Sequence, residues 1–189
     1  MTLYERITGG VSESLKKAYG RADFIVDIPK TNVGFDLYSN ILKITGKEIQ
    51  TNDFDGFVEK ISFENGFLNI RLKEEVLIEF LFDFEPLIFE TDSDVDRMLQ
   101  AYIQLAENEK KFSEIRDISM PLTSEVRRVI LFLMKLQYLY SIDTKKGDII
   151  KSEVIGLLDK IKSTCENLKA FVITYEPLLI AVRGSLAKF

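Results

Sequence analysis

Histidine and tryptophan do not occur in this 189-residue sequence, and cysteine occurs once, at Cys165. Without imidazole there is no neutral-pH general base of the usual kind and no histidine metal ligand. One thiol cannot form an internal disulfide, nor a zinc site of the Cys/His type, and it suits a reducing compartment. Long apolar runs are missing as well. The longest, Val129 to Met134, is far short of the roughly 20 residues that span a bilayer. The first turn carries Glu5 and Arg6 and no apolar stretch of the signal-peptide kind. No GxGxxG or GxxxxGK[ST] phosphate loop is present. These absences lead to the expectation of a non-catalytic cytoplasmic protein with no metal and no cofactor. Carboxylate-only metal or acid–base chemistry stays open, because 30 Asp and Glu are available.

What is present is an ordinary folded composition, 46% apolar and 29% charged, enough for one large or two small cores. The net charge is −5, but it is unevenly spread: −6 over residues 1–90, −3 over 91–120 and +4 over 121–189. Phosphate contacts, if there are any, belong in the C-terminal part, although a randomly scattered surface charge would give the same split.

Helical spacing of Leu3, Ile7, Val11, Leu15 and Ala18, with a Thr2/Glu5 capping box, predicts a helix over 2–19 that Gly9–Gly10 would break or kink. Asp23 to Ile28 reads as a strand ended by Pro29, and Leu37 to Thr45 as a short helix stopped by Gly46. Phe57–Phe63 and Phe67–Leu72 flank Asn65–Gly66, the preferred pair of a type I′ turn. That turn sets Phe63 opposite Leu68 and Ile61 opposite Ile70 on one face, with Ser62 opposite Asn69 and Lys60 opposite Arg71 on the other. Lys73 to Phe82 is amphipathic through Val76, Leu77, Phe80 and Leu81. A connector over 84–91 follows. Further helices are expected from Ser93 to about Lys111, from Thr123 or Ser124 to about Ser141, after Gly147–Asp148, and from Glu176–Pro177. The expected fold class is α+β: a small helix-plus-antiparallel-sheet domain at 1–85, then an all-α helical bundle at 90–189.

Pro29, the stretch Gly34-Phe35-Asp36-Leu37-Tyr38-Ser39-Asn40 and the stretch Gly66-Phe67-Leu68-Asn69-Ile70-Arg71-Leu72 resemble the N-terminal additional domain of arginyl-tRNA synthetases. One residue, Phe35, separates the Gly and Asp that are adjacent in that family. Met98-Leu99-Gln100-Ala101-Tyr102 and Leu122-Thr123-Ser124-Glu125 resemble the opening helices of the same enzymes' DALR-type anticodon-binding domain. The resemblance covers about 150 residues. The family's catalytic domain, with its histidine-containing ATP signature, is absent. The resemblance therefore implies a non-catalytic tRNA-binding or tRNA-enzyme accessory protein, with tRNA or a tRNA-processing protein as partner. A protein–protein interaction module that kept the fold and lost RNA binding is the alternative, favoured by the net acidity and the altered Gly34–Asp36 loop. A carboxylate-dependent hydrolase has no motif here.

In the family the first domain touches the tRNA elbow near the Gly-Asp loop. Carried over, this makes Asn32, Phe35, Tyr38 and Asn40 RNA-contact candidates, since an aromatic can stack on an unpaired base while an amide reads its edge. The same aromatics can equally pack in the core, and Asn40 can cap a turn. In the bundle, Arg127, Arg128 and Lys135, with Lys145, Lys146, Lys151, Lys160, Lys162 and Lys169, are candidates for a phosphate-binding face, and Tyr138 and Tyr140 for stacking. A solvated helix face gives the same pattern. Asp92, Asp94 and Asp96 are better explained by the helix dipole than as a cation site, and Cys165 as a small core residue.

Overall fold

The computed structural model describes residues 1–21, 23–31, 33–48, 54, 56–84, 97, 103, 106, 122–142, 151–164 and 166. Helix α1 runs from Leu3 to Tyr19, and both bonds of the Thr2/Glu5 capping box are made. Gly9 and Gly10 do not interrupt it. Each costs about 1 kcal/mol relative to alanine, and the cap together with a buried stripe of Tyr4, Ile7, Val11 and Leu15 outweighs that.

Four short strands form one antiparallel sheet in the order β1-β2-β4-β3: β1 Val26–Asp27, β2 Leu37–Ser39, β3 Val58–Glu64 and β4 Phe67–Leu72. The β3–β4 hairpin has the register set by its turn, with Phe63 opposite Leu68, Ile61 opposite Ile70, Ser62 opposite Asn69 and Lys60 opposite Arg71. Asn65 (φ 53°) and Gly66 (φ 76°) take the left-handed conformations that a type I′ turn needs. A bulge lies between Val58 and Lys60.

Two expectations differ from the structure. The strand over 23–28 shrinks to Val26–Asp27, and the helix over 37–45 is only its second half, α2 Ile41–Thr45. Leu37 to Ser39 instead forms β2, because Ile70, Asn69 and Leu68 offer it an open edge and backbone partners. The helical spacing of Leu37, Ile41 and Ile44 is also compatible with a strand followed by a turn of helix.

Helix α3 spans Glu74–Asp83 and buries Val76, Leu77, Phe80 and Leu81. Beyond it the connector lies, from residue 85 on, outside the described residues, as do most of the helix expected over 93–111, residues Asp92, Asp94, Asp96 and Cys165, and the final helix. Residues 103 and 106 are helical and buried. Helix α4, Ser124–Ile142, is capped by Thr123, whose hydroxyl accepts from the Val126 amide. Its start is tied to α3, where the Glu74 carboxylate accepts from the Leu122 amide. All six residues from Val129 to Met134 are buried, so α4 is packed on more than one side, against α1, α3 and helix α5 (151–164).

The architecture is α+β. The inner sheet face (Leu37, Leu68, Ile70, Leu72) meets α1, α2 and α3, and the same apolar core continues through α4 to Leu157, Leu158 and Ile161 of α5. No helix among the described residues is long and apolar enough to cross a membrane.

Candidate nucleic-acid interface

Strand alternation decides which side chains leave the core. On β4, Leu68, Ile70 and Leu72 are fully buried, so Phe67, Asn69 and Arg71 lie on the opposite, outer face. On β2, Leu37 and Ser39 point inward and Tyr38 outward. Tyr38, Asn69 and Ser62 therefore form one row across three strands. Tyr38 and Phe67 meet edge to face, ring centroids 5.6 Å apart at 78°. Lys43 of α2 places its ammonium 3.7 Å from the Phe67 centroid, a cation–π contact. Asn69, at 8% exposure, forms the floor between Tyr38 and Ser62, whose buried hydroxyl has no hydrogen-bond partner among the described residues. Lys60 and Arg71 add positive charge to the same face.

A second feature adjoins this face at Arg71. A small cleft, with about 10 Å³ of space for a water-sized molecule, lies between the Gly34–Asp36 corner, the end of β4 and the first turns of α4. Phe35, Arg71, Ser124 and Arg128 line it, and the Asp36–Arg127 pair closes its back. That pair is held by several hydrogen bonds. Arg127 donates from Nε to Asp36 Oδ1 (3.0 Å) and from Nη2 to Asp36 Oδ2 (2.5 Å) and to the Leu72 carbonyl (2.6 Å). Asp36 Oδ2 also accepts from the Leu72 amide at 2.8 Å, and both side chains are almost fully buried, at 2% and 3% exposure.

The residues proposed from sequence thus part ways. Phe35 and Arg128 line the cleft and Tyr38 belongs to the outer face, while Asn32 lies outside the described residues. Asn40 accepts from the Ile25 amide through Oδ1 (2.8 Å) and so clamps the chain before β1. Arg127, expected on a solvated face, is turned inward because Asp36 supplies a buried counter-charge. Lys135 is held inside too. Its ammonium lies 2.8 and 2.9 Å from the Asp27 oxygens and 3.5 Å from Glu153. Tyr138 packs its ring on Tyr4, 5.3 Å away, and Tyr4 donates its hydroxyl to Asp27 at 3.0 Å. Burial, then the negative charge of Asp27, pushes the Tyr4 phenol well above its ordinary value of 10.0. Lys151, Lys160 and Lys162 are exposed on α5, whereas Lys145, Lys146 and Lys169 lie outside the described residues.

Phe67, Asn69, Lys43 and Arg71 were not singled out as contact residues, although the hairpin register already put Asn69 and Arg71 opposite the core. Among the described residues no cluster of three His, Cys, Asp or Glu side chains could hold a metal ion. No protein-family model, curated protein or solved structure matches the chain.

Proposed function

We propose that this chain is a non-catalytic RNA-binding accessory module that takes an unpaired stretch of RNA, of the tRNA-loop kind, on the outer face of its sheet. The observation that carries this reading is the convergence of Tyr38, Phe67 and Asn69 on that face, with Lys43, Lys60 and Arg71 around them. Aromatic rings, an amide and cations on a sheet are the groups with which proteins hold splayed-out bases and their phosphates. A hydroxyl without a hydrogen-bond partner among the described residues, Ser62 Oγ, lies in the same row.

Fluorescence anisotropy with labelled tRNA and a single-stranded oligoribonucleotide tests it. Binding should weaken with rising salt, because each neutralised phosphate releases condensed counterion. Phe67→Ala should cost about 1–3 kcal/mol of binding, roughly five- to 150-fold in affinity. No binding at low salt would overturn the reading.

A second reading, a protein–protein interaction module, is favoured by one specific observation. Arg127 and Lys135, two of the basic side chains on α4, are neutralised internally by Asp36, Asp27 and Glu153. If the wild type fails to bind RNA, this reading takes its place.

A further inference from the structure

The Phe67 ring is not bare. Lys43 lies on it, and two separate contacts fix the side chain there. Its ammonium is 3.7 Å from the ring centroid. Further back, the stem crosses the hairpin turn at Gly66, where a Cβ would meet Lys43 Cγ at 3.0 Å and Cε at 3.4 Å. By lacking a side chain, the turn residue with φ 76° thus also provides the trough in which the lysine stem rests. The root of the side chain is equally fixed. Ile41 anchors α2 in the core, and the Lys43 amide donates to the Asn40 carbonyl at 3.0 Å. Lys43 is exposed, and among the described residues no carboxylate pairs with it. Its charge is therefore held by a ring face alone, and that one side chain separates the face from solvent.

We propose, on the reading of this face as an RNA site, that Lys43 is a lid on the Phe67 ring: an incoming base displaces it, and its ammonium then pairs with that nucleotide's phosphate. Magnitudes favour the exchange. An exposed cation–π contact is worth a factor of about two to five in an equilibrium. A base stacked on an aromatic ring is worth about five- to 150-fold, so the base takes the ring. The four-carbon stem, rooted beside the ring, lets the ammonium swing to the backbone of the nucleotide that replaced it. There it gains the anionic partner that it otherwise lacks among the described residues, and counterion release adds to the gain. The lid also discriminates. A neutral aromatic or apolar ligand has to break the cation–π contact and offers the ammonium nothing in return, whereas a nucleotide brings its own phosphate.

The test follows the Lys43 side chain of the full chain by NMR, with a short single-stranded RNA as probe, beside anisotropy titrations of the same RNA at several salt concentrations. Without RNA, the ring current of Phe67 should shift the Lys43 side-chain protons upfield, and Phe67→Leu should abolish that shift. Saturating RNA should abolish it in the wild type too. Lys43→Met keeps the stem and removes the charge, so the slope of log affinity against log salt should become shallower by about 0.7, one phosphate contact on a single strand. Lys43→Arg should restore the slope. Lys43 protons that are unshifted without RNA or still shifted in the complex, or a Lys43→Met variant with an unchanged slope, overturn the lid and leave the RNA reading standing. No RNA binding by the wild type at low salt overturns both.

Discussion

Replacing Arg127 by methionine isolates the most consequential contact between the sheet and α4. It keeps the length of the side chain but removes the charge that faces Asp36 at 3.0 and 2.5 Å in a site shut off from water. Asp36 keeps one donor, the Leu72 amide, and the Leu72 carbonyl loses its guanidinium donor. Breaking a buried pair on one side costs about 3–5 kcal/mol, because the other charge stays buried without compensation. An exposed pair would cost about 0–1 kcal/mol, so the two cases are well separated. Against a typical stability of about 5–15 kcal/mol the variant should be severely weakened. Asp36→Leu should cost a similar amount. The double variant Asp36→Leu/Arg127→Met buries no charge and leaves only the Leu72 amide and carbonyl without partners, at about 1–3 kcal/mol each. It should therefore fall well short of the sum of the singles, with a coupling energy of about 2 kcal/mol or more. Because the chain has no tryptophan, urea unfolding is best followed by far-UV circular dichroism. A single-variant cost under about 1 kcal/mol, or additivity in the double variant, refutes the argument.

Other outcomes follow from the same geometry. Lys135→Met should cost about 1–3 kcal/mol in urea unfolding, since Asp27 loses its ammonium, yet leave RNA affinity unchanged in the anisotropy assay. Folding raises the phenol pKa of Tyr4 and of Tyr19, chiefly by burial. Their contribution is complete below the unfolded value near 10 and is lost as pH climbs above it, so Tyr4→Phe should flatten the alkaline fall in thermal stability. Gly66→Ala must hold a left-handed φ and push its Cβ to 3.0 Å from Lys43 Cγ. It should lower stability by about 1–2 kcal/mol and displace Lys43 from the Phe67 ring. Pyrophosphate exchange with ATP and arginine should be undetectable in purified protein, for want of the histidine-containing ATP signature.

Local chemistry was the legible part of this chain. The Asn65–Gly66 turn fixes the hairpin pairs from Lys60–Arg71 to the turn, the Thr2/Glu5 box starts α1, and the apolar stripe of α3 is the buried one. β2 was hidden because three residues have no turn of their own to announce a strand, and their partners lie about thirty residues on. The inward course of Arg127 was hidden for a similar reason. Next to Arg128 it reads as one more surface cation, and nothing nearby signals that a carboxylate 91 residues away will meet it in the core. The outer sheet face was half legible, since the register separates Asn69 and Arg71 from the core. Only the packing of Tyr38 and Lys43 on Phe67 gathers them into a surface.

The span of the Asp36–Arg127 contact also bears on how the chain reaches this state in time. Joining residues 91 positions apart closes a long loop, as does the 108-residue separation between Asp27 and Lys135. The hairpin and the individual helices need no such closure, so they can form first and a nucleus can assemble without either ion pair. Contacts made after the barrier do not hasten folding; they slow escape from the native state. Loss of the Arg127 guanidinium should therefore appear in the unfolding limb of a chevron plot, with the refolding limb hardly moved. The two long-range charge pairs, one buried and one partly so, would then act as late latches, setting how long the sheet and α4 stay joined more than how quickly they meet.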